Sequence, residues 1–322
     1  MYLAAHNLSL MNFKNALIFS LFTFFLIGCK KDDNGVEITP PLPISEVYQT
    51  NSADIEAFMA THTYNYSDFD NPAADFDFKV KIDTLAGDLA GKTPLIQRAQ
   101  AIKVTLKSED LGLEDGETVE HTIYYIPLRE GAGPQPTTAD STLVKYRGMR
   151  FNGTTFDASA QYLWQYLPFT IQGYGIGVSK LKKGTQVRIN DDGTSTYTDS
   201  GMGMFIIPSA LGYYNNVSGS IPAYENLIFV LELGNFVPDT DYDNDGIPSW
   251  MEDLNGNGIY DDDNTDYTIE RRSFQVATPN HLDSDDDGDG IPTKDEITIN
   301  ADGTISFPDT DKDGIPDYLD KD

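Results

Sequence analysis

The last third of the chain carries carboxylates at the spacing that binds a hard divalent cation. Asp241, Asp243, Asp245 and Gly246 are followed after five residues by Glu252, and Asp285, Asp287, Asp289 and Gly290 after five by Glu296. Both runs match the twelve-residue calcium loop, with carboxylates at positions one, three, five and twelve and glycine at six for the sharp turn. Asp309, Asp311, Asp313 and Gly314 repeat the pattern with Asp320 in the last place, and Asp253, Asn255, Asn257 and Gly258 repeat it with Asn264 there. Oxygen donors packed this densely suit calcium, which accepts six to eight ligands more readily than magnesium does.

Charge density alone would describe a solvated acidic run. Regular spacing, Gly-Ile-Pro at three of the loops and the interleaved Trp250, Ile291, Ile315 and Tyr318 argue for an ordered segment instead. No flanking helices are evident, so the segment resembles thrombospondin type 3 repeats more than paired EF-hands. Mutual repulsion should keep it loose until cations neutralise it. Residues 296–299 and 304–307 around Asn300-Ala301-Asp302-Gly303 predict a small hairpin. The formal net charge is -29, and 25 of the 51 acidic residues, against five basic ones, lie between Asp239 and Asp322. That balance excludes nucleic acid and an anionic membrane surface as electrostatic partners.

The stretch from Thr142 to Phe236 holds four blocks in order. They are Val144-Lys145-Tyr146-Arg147-Gly148, then Phe151 to Ser159 with Phe156-Asp157-Ala158-Ser159, then Ile171 to Val178 with Leu181 and Gly184. Ile207-Pro208, Gly212-Tyr213, Ile221-Pro222 and Asn226 to Leu233 complete the set. These resemble the FKBP-type peptidyl-prolyl isomerases. The resemblance implies an antiparallel sheet wrapped on a short helix, in an α+β fold, and a pocket that receives a proline ring. Family roles then fall on Tyr146, Phe156, Ile171, Tyr174 and Phe229 as its walls and floor. Asp157 would sit beside the substrate carbonyl, Tyr213 would donate its hydroxyl to substrate, and Ile221 would flank the entrance.

Such enzymes need no catalytic cofactor. Rotation about an X-Pro bond is slow because resonance holds the amide planar behind a barrier of about 18 to 20 kcal/mol, and a dry site complementary to the twisted amide lowers it. Core packing would explain any one of these aromatics. It explains the set less well, because Tyr146, Tyr174 and Tyr213 carry hydroxyls and Asp157 a charge that a dry core must satisfy. Two departures from the family pattern stand out: Tyr174 replaces the usual floor tryptophan, and residues 161–168 lack an "F-x-L-G" block, where Trp164 supplies an aromatic.

The N-terminus reads as an export signal. Lys14 precedes an apolar run from Ala16 to Ile27, shorter than a membrane span, and Leu26-Ile27-Gly28-Cys29 resembles a bacterial lipobox. Cys29 is the single cysteine, which excludes a disulfide framework and marks the expected site of lipidation. Lys30-Lys31-Asp32-Asp33 resembles a surface-export tag, and Pro40, Pro41 and Pro43 favour an extended tether. The expectation is an outer-membrane lipid anchor, facing periplasm or cell surface, as the sole membrane contact.

Residues 46–141 read as an N-terminal α/β extension. Asn51 or Ser52 would cap a helix carrying Ile55, Phe58 and Met59, and strands are predicted over 76–82, 101–106 and 121–128. Residues 186–189 and 194–197 predict an inserted surface hairpin. Gly173-x-Gly175-x-Gly177 lacks the spacing of a dinucleotide loop, and His62, His121 and His281 show no zinc spacing.

With 322 residues and 39% apolar content, the chain divides into a signal peptide (1–28), a lipid anchor and tether (29–45), the extension (46–141), an isomerase domain (142–237) and acidic repeats with structural calcium (238–322). The expected function is prolyl isomerisation of client proteins in the cell envelope. The rival is a surface binding or adhesion lipoprotein whose FKBP-like part is weak or inactive.

Overall fold

The computed structural model describes residues 40–73 and 76–321. The signal peptide, Cys29 and most of the proposed tether lie outside them. Among the described residues no helix is long and apolar enough to cross a membrane.

The first helix, α1 (Ile44–Thr61), begins after Pro43 and so starts well before the expected cap at Asn51 or Ser52. Its first turn is satisfied from outside, since Ser45 donates through N (2.9 Å) and Oγ (2.8 Å) to the Glu117 carboxylate. Asn51 is instead buried inside the helix, where its Oδ1 accepts from Ser209 N (2.8 Å) and Oγ (2.7 Å). Next come β1 (His62–Tyr64), α2 (Tyr66–Asp70) and β2 (Ile82–Thr84), with β1 and β2 paired antiparallel. The strand expected over 76–82 reduces to its last residue. Phe78 turns out of the extended region at φ +55°, and Phe76 and Phe78 close on Phe69 with ring centroids 5.0 and 6.2 Å away. Aromatic clustering here outweighs the alternating pattern.

Then follow β3 (Gln100–Lys107), β4 (Thr118–Arg129), β5 (Ser141–Arg150), β6 (Thr155–Tyr166), α3 (Gln172–Ser179), the hairpin β7 (Val187–Ile189) and β8 (Ser195–Tyr197), β9 (Gly201–Ile207) and β10 (Leu227–Val237). One six-stranded sheet runs β3-β4-β9-β10-β5-β6, antiparallel throughout. The extension is therefore not a separate α/β unit. β4 pairs with β9 through Tyr124↔Ile206 to Arg129↔Met202, and residues 41–322 form one compact unit.

Both sheet faces are covered, which is why β9 is buried at every position. Phe205, Ile207, Phe229 and Leu231 face one core with α3; Met202, Met204, Ile206, Ile228 and Val230 face another with Ile55, Phe58 and Met59 of α1. The glycines of α3 serve this packing. A Cβ on Gly173 would stand 2.4 Å from Ile207 Cγ2, and one on Gly177 3.1 Å from Leu231 Cδ1, so the helix lies directly on the sheet.

The acidic segment folds back onto this sheet. It contributes α4 (Tyr267–Arg272), α5 (Thr293–Glu296) and the expected small hairpin, β11 (Thr298–Ile299) with β12 (Ile305–Ser306), around a small core of Ile247, Ile297 and Tyr318. Thr240 Oγ1 accepts from Ser141 N (2.9 Å), the Tyr260 and Thr138 hydroxyls lie 2.8 Å apart, and Gln172 Nε2 donates to the Asn257 carbonyl (3.0 Å).

Candidate active site

The sheet register builds one wall of a cleft. Gly148 of β5 stands between Phe229 of β10 and Asp157 of β6, and the β5–β6 ladder slips between Gly148 and Met149. Met149 pairs with Thr155 and Gly148 with Asp157, so Phe156 is the extra residue of a bulge. Neighbouring strand residues normally face opposite sides, and the bulge lets Phe156 and Asp157 reach the same cleft. Gly148 has to be glycine, because a Cβ there would meet the Phe156 ring at 2.5 Å and the Phe229 ring at 2.9 Å.

The cleft encloses about 600 Å³ and is lined by Tyr146, Phe156, Asp157, Gln165, Pro168, Phe169, Thr170, Ile171, Tyr174, Tyr213, Phe229 and Asp261. Its aromatic rings meet edge to face: Phe156 and Phe229 at 5.5 Å, Tyr174 and Phe229 at 5.2 Å, Tyr146 and Tyr174 at 5.9 Å. The Tyr146 hydroxyl donates to Asp157 Oδ2 (2.7 Å), and Tyr174, buried on the floor, donates to Gln165 Oε1 (2.6 Å). Burial, reinforced by Asp157, pushes the Tyr146 phenol up to about 12. Burial likewise raises Tyr174, so both remain donors across the physiological range. Tyr213 makes no side-chain hydrogen bond among the described residues, which leaves its hydroxyl available at the cleft wall.

Seven of the eight residues assigned to the pocket from sequence thus come together. Ile221 does not line the cleft. The Ser218–Ile221 bridge closes a tight turn that holds Ile221 at 3% exposure in the core. The aromatic expected from Trp164 comes instead from Phe169; Trp164 lies on β6, half exposed, away from the cleft. Gln165 and Asp261 were missed. No spacing links Asp261 to the pocket, because it arrives from the acidic segment and is held by His281, whose Nε2 lies 3.1 Å from Asp261 Oδ1 and whose Nδ1 lies 2.9 Å from the Tyr166 hydroxyl. The hairpin β7–β8 supplies no cleft residue.

The four acidic loops share one turn. In each, the first residue accepts from the glycine N–H at position six: Asp241 from Gly246 (3.0 Å), Asp253 from Gly258 (2.8 Å), Asp285 from Gly290 (3.1 Å) and Asp309 from Gly314 (3.1 Å). These glycines have φ of +98°, +75°, +95° and +101°, a region that admits glycine without strain. Asp245, Asn257, Asp289 and Asp313 each cap the N–H two residues on. The carboxylates of Asp241, Asp243 and Asp245 converge to within 4.8 Å, as do those of Asp285, Asp287 and Asp289 and those of Asp309, Asp311 and Asp313.

In three of the loops the proline after Gly-Ile starts a single helical turn that carries Glu252, Glu296 or Asp320 to or just past its end. In the Asp253 loop the side-chain amides turn to the neighbouring carboxylates, Asn255 Nδ2 donating to Asp263 Oδ1 (3.2 Å) and Asn257 Nδ2 to Asp262 Oδ2 (2.8 Å). Asp245, Glu252 and Asp286 form a further group, each at most 1% exposed. Both oxygens of Glu252 and of Asp286, and Oδ2 of Asp245, are buried without a hydrogen-bond partner. Burial, with the charges of Asp243 and Asp286, pushes the Glu252 carboxyl up to about 10. Orphaned, buried oxygens at this density fit a hard cation bound through oxygen alone.

No family model matches the chain. Residue by residue it is 35% identical over 107 residues to the FK506-binding protein of Neisseria meningitidis serogroup B, covering 88% of that protein and 33% of this chain. It is 31% identical over 115 residues to the FKBP-type peptidyl-prolyl cis-trans isomerase FkpA of Buchnera aphidicola, covering 39% of that protein and 34% of this chain. A peptidyl-prolyl cis-trans isomerase of Pseudomonas syringae aligns structurally at 18% identity and a TM-score of 0.33, over 62% of this chain and 98% of that one. With identity of this order across nearly the whole of the Neisseria protein, the chain belongs to the FKBP-type peptidyl-prolyl cis-trans isomerase family.

Proposed function

We propose that this protein is a folding catalyst of the cell envelope that turns X-Pro bonds of client proteins, is tethered by a lipid on Cys29, and carries structural calcium in its acidic segment. The observation that supports the catalytic part is the aromatic cleft in which Tyr146 and Asp157 are hydrogen-bonded to each other and the Tyr213 hydroxyl is free to bond substrate.

The chemistry follows from the amide. A planar amide is strongly dipolar and prefers water; a half-turned one has lost its resonance and is less dipolar. Seating the proline ring against Phe156, Tyr174 and Phe229 removes water from the bond and so disfavours the planar forms more than the twisted one. Tyr213 holds the substrate backbone through its hydroxyl, and Asp157, kept in place by Tyr146, faces the carbonyl carbon as its character changes. No bond is made or broken, and no proton moves.

Calcium in the acidic segment is supported by the shared loop turn and by the orphaned oxygens of Asp245, Glu252 and Asp286. There the ion would supply the counter-charge that lets these carboxylates stay buried and ionised. Envelope location and lipidation rest on the residues around Cys29.

The test is a protease-coupled isomerisation assay on a prolyl tetrapeptide, comparing the wild type with Asp157→Ala and Phe229→Ala. Faster turnover by the wild type carries the reading. Equal rates in all three would remove the enzyme and leave calcium-dependent binding as the function.

A further inference from the structure

We propose that Asp266, Glu270 and Asp283 hold a calcium ion at a fifth place, outside the four loops. Their sequence spacing carries no trace of the loop motif, and only the fold brings them together. One carboxylate oxygen from each lies within 4.8 Å of the others, the separation expected of oxygens sharing an ion at about 2.3 to 2.6 Å.

Two features point to a ligand and not to a chance acidic cluster. Asp266 is 5% exposed, and its Oδ1 is buried with no hydrogen-bond partner. The amide oxygen of Asn264 is also buried and unpartnered, while its Nδ2 sits 2.8 Å from Glu270 Oε2, beside the cluster. An unpaired buried oxygen is costly, and three neighbouring carboxylates multiply that cost unless a cation is present.

The site is also braced. Thr278 N donates to both oxygens of Glu270 (3.0 Å each), and Asp283 Oδ1 accepts from Asp285 N (3.1 Å). Gly288, at φ +71°, passes so close that a Cβ would fall 2.4 Å from Asp266 Oδ2. The neighbouring ammonium, on Lys321, donates to the Thr265 carbonyl (2.9 Å). His281, two residues before Asp283, has both ring nitrogens engaged, so the donor set is oxygen only and selects calcium over zinc.

The direct experiment is anomalous diffraction from wild-type crystals grown with calcium and then with terbium. A peak between Asp266, Glu270 and Asp283 is expected in both. Peaks in the loops without one here, or no peak anywhere, would overturn the site. In solution, native mass spectrometry of the wild type and of Asp266→Asn/Asp283→Asn should differ by one calcium ion, whereas Asp309→Asn/Asp311→Asn removes a different one. Equal counts for the wild type and the first variant would also end the proposal. Neither readout involves isomerase activity, so failure of the catalytic reading leaves this test intact.

Discussion

His281 holds Asp261 on the lip of the proline cleft, Nε2 to Oδ1 at 3.1 Å, and so places a carboxylate from the acidic segment beside a site otherwise built from the isomerase strands and α3. Asp157 already contributes one negative charge to that cleft; Asp261 adds another from about a hundred residues away. A client with lysine or arginine next to its proline should therefore be favoured. Asp261 is largely exposed, so its share is that of a surface charge, about 0.2 to 1 kcal/mol. Asp261→Asn should lower the ratio of kcat/KM for Lys-flanked over Glu-flanked prolyl peptides about two- to fivefold, and added salt should shrink that difference. An unchanged ratio at low salt would mean that Asp261 does not meet the substrate.

Within the cleft, the hydrogen bond from Tyr146 to Asp157 is charge-assisted, of a kind contributing about 1.5 to 3 kcal/mol. Asp157→Ala should cut kcat/KM about ten- to a hundredfold. Tyr146→Phe keeps the ring and should cost less, which a side-by-side assay of both variants checks.

Gly173 and Gly175 of α3 should respond to alanine in opposite senses. Gly173→Ala drives a methyl into Ile207 and should destabilise by about 1 to 3 kcal/mol. Gly175 has no neighbour within 3.7 Å of an added Cβ, so Gly175→Ala should stabilise the helix by about 0.5 to 1 kcal/mol. Urea unfolding midpoints of the two variants decide this.

His121 on β4 is fully buried with neither ring nitrogen hydrogen-bonded, and burial pushes it down from 6.5 to about 4. The unfolded chain takes the proton more readily, so stability present above pH 6.5 is lost as the pH falls toward 4. Between pH 7 and pH 5 the loss from this group is about 2 kcal/mol. His121→Met should flatten that part of the pH–stability profile, as denaturant titration at the two pH values would register.

Calcium should stabilise the folded chain by about 2.7 kcal/mol per site at a hundred times its dissociation constant. Without the ion, burial keeps the Glu252 carboxyl protonated at a cost that a neutral amide escapes, so Glu252→Gln should raise the melting temperature in chelator and reduce the gain on adding calcium. Differential scanning calorimetry with and without the ion measures both signs, and a gain as large as that of the wild type would exclude Glu252 as a ligand.

Much of this architecture is local information. The turn of each acidic loop follows from a carboxylate at position one reaching a glycine N–H five residues on, and those glycines sit where φ must be positive, so spacing alone specifies the turn. The long strands β4 and β5 likewise announce themselves through alternation and β-branched or aromatic residues, and β10 through a near-continuous apolar run. Strand ends and helix starts were less legible, because distant partners set them: Glu117 satisfies the first turn of α1, and Phe69 draws Phe76 and Phe78 out of a strand.

Sequence by itself determined which side chains could hold calcium, through residue type and short spacing, and its resemblance to the isomerase family named those that could line a proline cup. Tertiary structure decided the rest. Only the sheet register, with its bulge at Phe156, turns Phe156 and Asp157 into one cleft, and only the docking of the acidic segment through Tyr166 and His281 brings Asp261 there. It also places Ile221 inside the core and merges the extension with the isomerase strands in one sheet. The physical reason is range: a turn closes over a few residues, whereas a ladder or a docking contact joins positions whose separation along the chain leaves no periodic mark.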